Sequence, residues 1–108
     1  MEELLKEVKI LAEKEKKRGN FIYGKFRSNH EAYAVTKEEL EETQEEIEKC
    51  ANWLDGVWHL IRIDANTKYQ YKNLKIRALH AAAEAIQLAA MADKSLDFLD
   101  ENQTEFNK

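Results

Sequence analysis

The stretch YAVTKEELEETQEEIEKCANWLDGVWHLI, residues 33–61, decides the fold. Within it Tyr33, Leu40, Ile47, Leu54 and Ile61 recur every seven residues, with Thr36, Thr43, Cys50 and Val57 interleaved. Such spacing is the a/d seam of a long helix. Just upstream, SNHE at 28–31 has capping-box form, with Ser28 at the N-cap and Glu31 three residues on, so the helix is predicted over about 29–63. Gly56 falls inside it and is tolerated at a modest cost in helix propensity.

The same stretch is crowded with acid: seven of the twelve residues from 37 to 48 are glutamate. A helix turns about 100° per residue, which separates them by direction. Glu38, Glu41, Glu45 and Glu48 point away from the seam and read as a solvated face. Glu39, Glu42 and Glu46 line one shoulder of it, where they are either solvated flanking residues or aimed at a cation.

Working outward, Leu4, Leu5, Val8, Leu11 and Ala12 predict an amphipathic helix over about 2–18, with Gly19-Asn20 as its stop. The aromatic, glycine-containing segment 19–28 is then a loop packed onto the helices. Asp64-Ala65-Asn66-Thr67 is a turn signal, and Leu74, Ala78, Ala81, Ala85, Leu88, Ala92 and Leu99 mark a third helix over about 67–99. The polar tail 100–108 is expected to fray. With no proline and three glycines in 108 residues, the chain reads as all-α. The expected architecture is one domain over 1–108, a short N-terminal helix plus a long antiparallel helical hairpin.

Composition narrows the class further. The charged start MEELLKEVKI lacks the basic-then-apolar order of a signal peptide, and ALHAAAEAIQLAAMA at 78–92 is too short and too polar to span a bilayer. One cysteine, Cys50, allows no internal disulfide and reads as a buried, inert thiol. Net charge is −4, and KEKKRG at 14–19 lies at a helix end, which disfavours nucleic acid. A cytoplasmic protein with neither membrane nor nucleic-acid partner is expected.

The third helix is apolar nearly all round, because Ile76, Leu79, Ala83, Ile86 and Ala90 oppose the face given above. It should sit centrally and be covered by association, a homodimer or homotetramer with a four-helix-bundle-like core. Arg77, His80, Glu84 and Gln87 form its one polar stripe. In an antiparallel hairpin turning near residue 65, Glu46 is expected level with Glu84 and Glu42 with Gln87 or Leu88. Converging carboxylates need a cation, and oxygen-only ligands suit Mg²⁺ or Mn²⁺. Lys25, Arg27 and Arg77 are candidates to contact phosphate, although each also reads as an ordinary surface or paired charge. Trp53, Trp58, Tyr69 and Tyr71 are core aromatics or, less simply, base-stacking ones.

EELEE at 38–42, followed by EAIQ at 84–87, resembles the E-E-x-x-E … E-x-x-D signature of the MazG-like all-α nucleoside triphosphate pyrophosphohydrolases. The wider run over about 24–99 is similar to small phage and prophage proteins of that superfamily. The resemblance implies Mg²⁺-dependent hydrolysis of a nucleoside triphosphate to the monophosphate and pyrophosphate. By position, Glu38 is the leading motif glutamate, Glu39, Glu42 and Glu84 are ligands, and Gln87 stands where the family has aspartate. Glu46 is a further carboxylate that helix geometry, not the family pattern, brings toward Glu84. A non-catalytic helical oligomer, a phage or prophage accessory protein in which Gln87 records a lost activity, is the alternative.

Overall fold

The computed structural model describes residues 1–102 as three helices: α1 (Glu2–Tyr23), α2 (Asn29–Arg62) and α3 (Lys68–Glu101), with no strand among the described residues. Most of the polar tail expected at 100–108 lies outside the described residues; Asp100 and Glu101 complete α3. No helix among the described residues is long and apolar enough to cross a membrane.

Helix α2 starts as its sequence dictates. Ser28 Oγ accepts the Glu31 N–H at 3.0 Å, and the Glu31 carboxylate accepts the Arg27 N–H at 2.9 Å. Two donors that the first turn cannot satisfy internally are thereby satisfied. The α2–α3 turn falls at the expected tetrad: Asp64 takes φ 55, a region that Asp tolerates, and Asn66 Oδ1 accepts the Lys68 N–H at 2.8 Å.

The first helix ends later than predicted. It continues through Gly19 and Asn20 to Tyr23, and the chain leaves it at Gly24, where φ is 78 and the N–H returns to the Asn20 carbonyl at 2.9 Å. A helical glycine costs only about 1 kcal/mol, which docking of the following turn against α3 can offset. That docking is visible at Gly19, whose notional Cβ lies 3.8 Å from the Met91 methyl, and at Lys16, which pairs with Asp93 and Asp97 at 2.9 Å each. The loop shrinks to residues 24–28, of which Phe26 is buried; Phe21 and Tyr23, expected to pack down, are exposed.

Helices α2 and α3 run antiparallel along a molecule 64 Å long, and α1 lies on α3 alone. Phe26, Ala32, Ala90 and Met91 form the core where the 24–28 loop and the start of α2 pack on α3, with Val35 and Phe98 against it. Farther along, Thr36 and Ser95 share a hydroxyl hydrogen bond at 3.2 Å, Val57 is fully buried, and the Trp53 and Tyr69 rings meet edge to face at 5.8 Å.

The heptad seam divides. Its Thr36, Thr43, Cys50 and Val57 half faces α3, whereas Tyr33, Leu40, Ile47, Leu54 and Ile61 remain 41–68 % exposed. The glutamate shoulder falls on the buried side of that division, so Glu39, Glu42 and Glu46 sit in the hairpin rather than beside it. On α3, Ile76 and Leu79 are likewise exposed. The helix is central as expected, covered on two sides.

Candidate functional site

Glu39 and Glu42 are one turn apart on α2, and Glu84 faces them from α3. One carboxylate oxygen from each lies within 4.8 Å of the others. Neighbouring ligand oxygens around Mg²⁺ stand about 3 Å apart and opposite ones about 4 Å, so three side chains this close can serve one small hard cation. The level of approach matches the expected one where Thr36 meets Ser95 and departs from it by about a turn nearer the α2–α3 loop. Glu84 meets Glu42 and Glu39, while Glu46 meets Arg77.

Electrostatics marks this triad. Burial, then the charges of Glu42, Glu84 and Glu38, push the Glu39 carboxyl up to about 7. A hydrogen bond shared with Glu84, then burial and the Glu84 charge, raise Glu42 as well. One oxygen of Glu39, Oε2, is buried without a hydrogen-bond partner. A buried carboxylate oxygen without a partner is costly, and either a retained proton or a bound cation would relieve the crowding of the three carboxylates.

The triad opens onto a cavity of about 550 Å³, within the range of small-molecule sites. Its walls come from all three helices and the 24–28 loop. Gln87 lies beside the triad and donates its amide to Glu15 of α1, which also holds Arg18 at 3.0 Å. These two hydrogen bonds, that of Arg18 first, hold the Glu15 carboxyl below its ordinary range. Tyr23, Lys25, Phe26, Glu31 and Lys94 complete the lining, so acidic and cationic side chains both reach the cavity.

The remaining expected site residues fall elsewhere. Glu46 is bound to Arg77 at 3.3 Å and Lys49 at 3.3 Å, so it is an ion-pair residue outside the triad, and Arg77 is its partner rather than a cavity cation. Arg27 contributes its backbone N–H to the α2 cap and does not line the cavity. Lys25 does line it, paired with Glu101 at 2.8 Å, which raises its ammonium. Glu38 is exposed and acts on the triad only through its charge. His80 is exposed, and Trp53, Trp58, Tyr69 and Tyr71 do not line the cavity.

Glu15, Arg18 and Lys94 were not singled out from the sequence. Lys94 was within reach, since extending the stripe Glu84, Gln87 by four and three residues gives Met91 and Lys94. Glu15 and Arg18 have no such signal, because only the docking of α1 brings them to the site.

The amide of Gln87 can donate to Glu15 where a carboxylate at that position would repel it. Gln87→Asp should therefore destabilise the protein by about 1–2 kcal/mol at neutral pH. The loss should appear as faster amide exchange in residues 12–20 before the rest of the chain. Unchanged melting and exchange would contradict this role for the Gln87–Glu15 contact.

The chain matches no protein-family model, no curated protein and no solved structure.

Proposed function

We propose that the cavity binds a nucleoside triphosphate on a divalent cation and hydrolyses it to the monophosphate and pyrophosphate, as the MazG-like resemblance implies. The observation that carries this reading is the meeting of Glu39, Glu42 and Glu84 across two helices, within 4.8 Å, beside an orphaned buried oxygen. These three residues would hold Mg²⁺ or Mn²⁺, which neutralises phosphate charge and acidifies bound water. Helices α2 and α3 fix the triad rigidly, so the approach of three like charges is built into the fold. Partial burial reduces the screening of these charges by bulk water. Without a cation the Glu39 carboxyl is raised to about 7, and a bound divalent cation would favour its ionised form. Arg18 and Lys25 stand at the cavity wall, where they can meet phosphate oxygens, each by leaving a carboxylate partner.

A second copy belongs to this reading. Tyr33, Leu40, Ile47, Leu54 and Ile61 form an exposed apolar stripe about 42 Å long, more than an isolated helical hairpin leaves to water without a partner. Pairing of two such stripes, in a dimer or tetramer, completes a four-helix-bundle core around α3.

Pyrophosphate release tested across canonical and modified nucleoside triphosphates, with Glu84→Gln as control, decides catalysis. Turnover should fall at least about 100-fold in the variant, as for loss of an electrostatic group in a metal-assisted reaction. The Gln87–Glu15 contact favours a second reading, a nucleotide-binding or accessory oligomer without turnover. Cation binding with no pyrophosphate release from any nucleotide would select it.

A further inference from the structure

Lys94 is the most deeply buried charged residue among the described ones, 5 % exposed, and it lines the cavity. Its ammonium stands 4.4 Å from the centre of the Phe26 ring. Among the described residues no carboxylate pairs with it. Glu31, the acid whose charge reaches it, already accepts the Arg27 N–H at the start of α2. A ring face attracts a cation weakly, far less than the hydration that a buried ammonium gives up. Burial accordingly lowers the Lys94 ammonium from its ordinary range. The other cations at this cavity, Arg18 and Lys25, are satisfied by Glu15 and Glu101. Of these cavity cations, Lys94 alone has no carboxylate partner among the described residues.

We propose that Lys94, held on the Phe26 ring, is the anion anchor of the cavity and takes a phosphate oxygen of the bound polyphosphate. This rests on the cavity being a phosphate-ligand site. It gives the ligand one orientation, with its cation toward Glu39, Glu42 and Glu84 and a phosphate toward Lys94. A charge-assisted hydrogen bond formed in a dry site is strong and short, which is what a fixed ammonium offers a phosphate. An apolar residue of the same length would pack the space without that bond.

The test is titration of pyrophosphate into wild type, Lys94→Met and Lys94→Gln, once with Mg²⁺ and once in EDTA, alongside Mg²⁺ alone. Both variants should bind pyrophosphate about tenfold or more weakly than wild type, the loss expected for one charged hydrogen bond. Their affinity for Mg²⁺ alone should stay within about twofold of wild type, since Lys94 is not a cation ligand. Lys94→Met should also melt higher than wild type without ligand, because it removes a buried unpaired charge. In wild type carrying ¹³C-dimethylated lysines, the Lys94 resonance should move on addition of pyrophosphate. Equal pyrophosphate affinity in wild type and variants, a Lys94 resonance that does not move, or a wild type that takes pyrophosphate in neither condition overturns the assignment. Failure of the carboxylate triad reads differently, as pyrophosphate binding through Lys94 with no binding of Mg²⁺.

Discussion

Glu39→Gln should make the metal-free protein more stable at pH 8, by on the order of 2 kcal/mol, while removing its stabilisation by divalent cations. The sign follows from the raised pKa. An ordinary Glu39 carboxyl titrates near 4.5 and the folded one near 7, so between those values the native state binds more protons than the unfolded chain. Metal-free wild type therefore loses stability as pH rises from about 5 to about 7.5, and the loss is complete above that. The figure allows for the solvent that still reaches a half-buried carboxylate. Glutamine cannot ionise and relieves the repulsion from Glu42 and Glu84, so the variant should lose less stability over this window, the remainder coming from the raised Glu42. In 1 mM Mn²⁺ the ranking should reverse, because the cation binds the ionised triad and stabilises wild type through linkage. Melting curves at pH 5, 6.5 and 8, with EDTA or Mn²⁺, read all of this. A wild-type profile that rises with pH in EDTA would sink the explanation.

Ala90→Leu should destabilise the fold by about 2–3 kcal/mol. Ala90 is wholly buried in the cluster of Phe26, Ala32 and Met91, at the one place where α3 meets both other segments. Three extra carbons at a fully buried position crowd Phe26, Ala32 and Met91, so the helices shift apart or the side chain leaves its rotamer. The effect should reach the cavity, since Phe26 and Met91 line it. Lower denaturation midpoint together with weaker ligand binding is the expected result. An Ala90→Leu protein of wild-type stability would mean that this cluster is not packed as described.

Much of the fold was legible because it is local. The seven-residue spacing from Tyr33 to Ile61, the Ser28–Glu31 cap and the turn at 64–67 act within a few residues, and each occurs where expected. The end of α1 was not legible, because Gly19 is a helix stop only when nothing outside the helix holds the next turn, and α3 does hold it. The register of the hairpin holds where Thr36 meets Ser95 but drifts toward the loop, which residue numbers alone do not reveal. The drift sets Glu46 against Arg77 and away from Glu84. Glu39, Glu42 and Glu84 still meet because they occupy neighbouring turns on the facing sides of α2 and α3. Lys94 carried a readable signal, at helical spacing from Glu84, whereas Glu15 and Arg18 depend on how α1 docks.

The central claim is that Glu39, Glu42 and Glu84 hold one divalent cation, and Mn²⁺ titration by calorimetry or electron paramagnetic resonance tests it most directly. Wild type at pH 7.5 should take up one Mn²⁺ per chain at this site, and Glu84→Gln should lose it. No Mn²⁺ uptake by wild type, or undiminished uptake by Glu84→Gln, would contradict the claim.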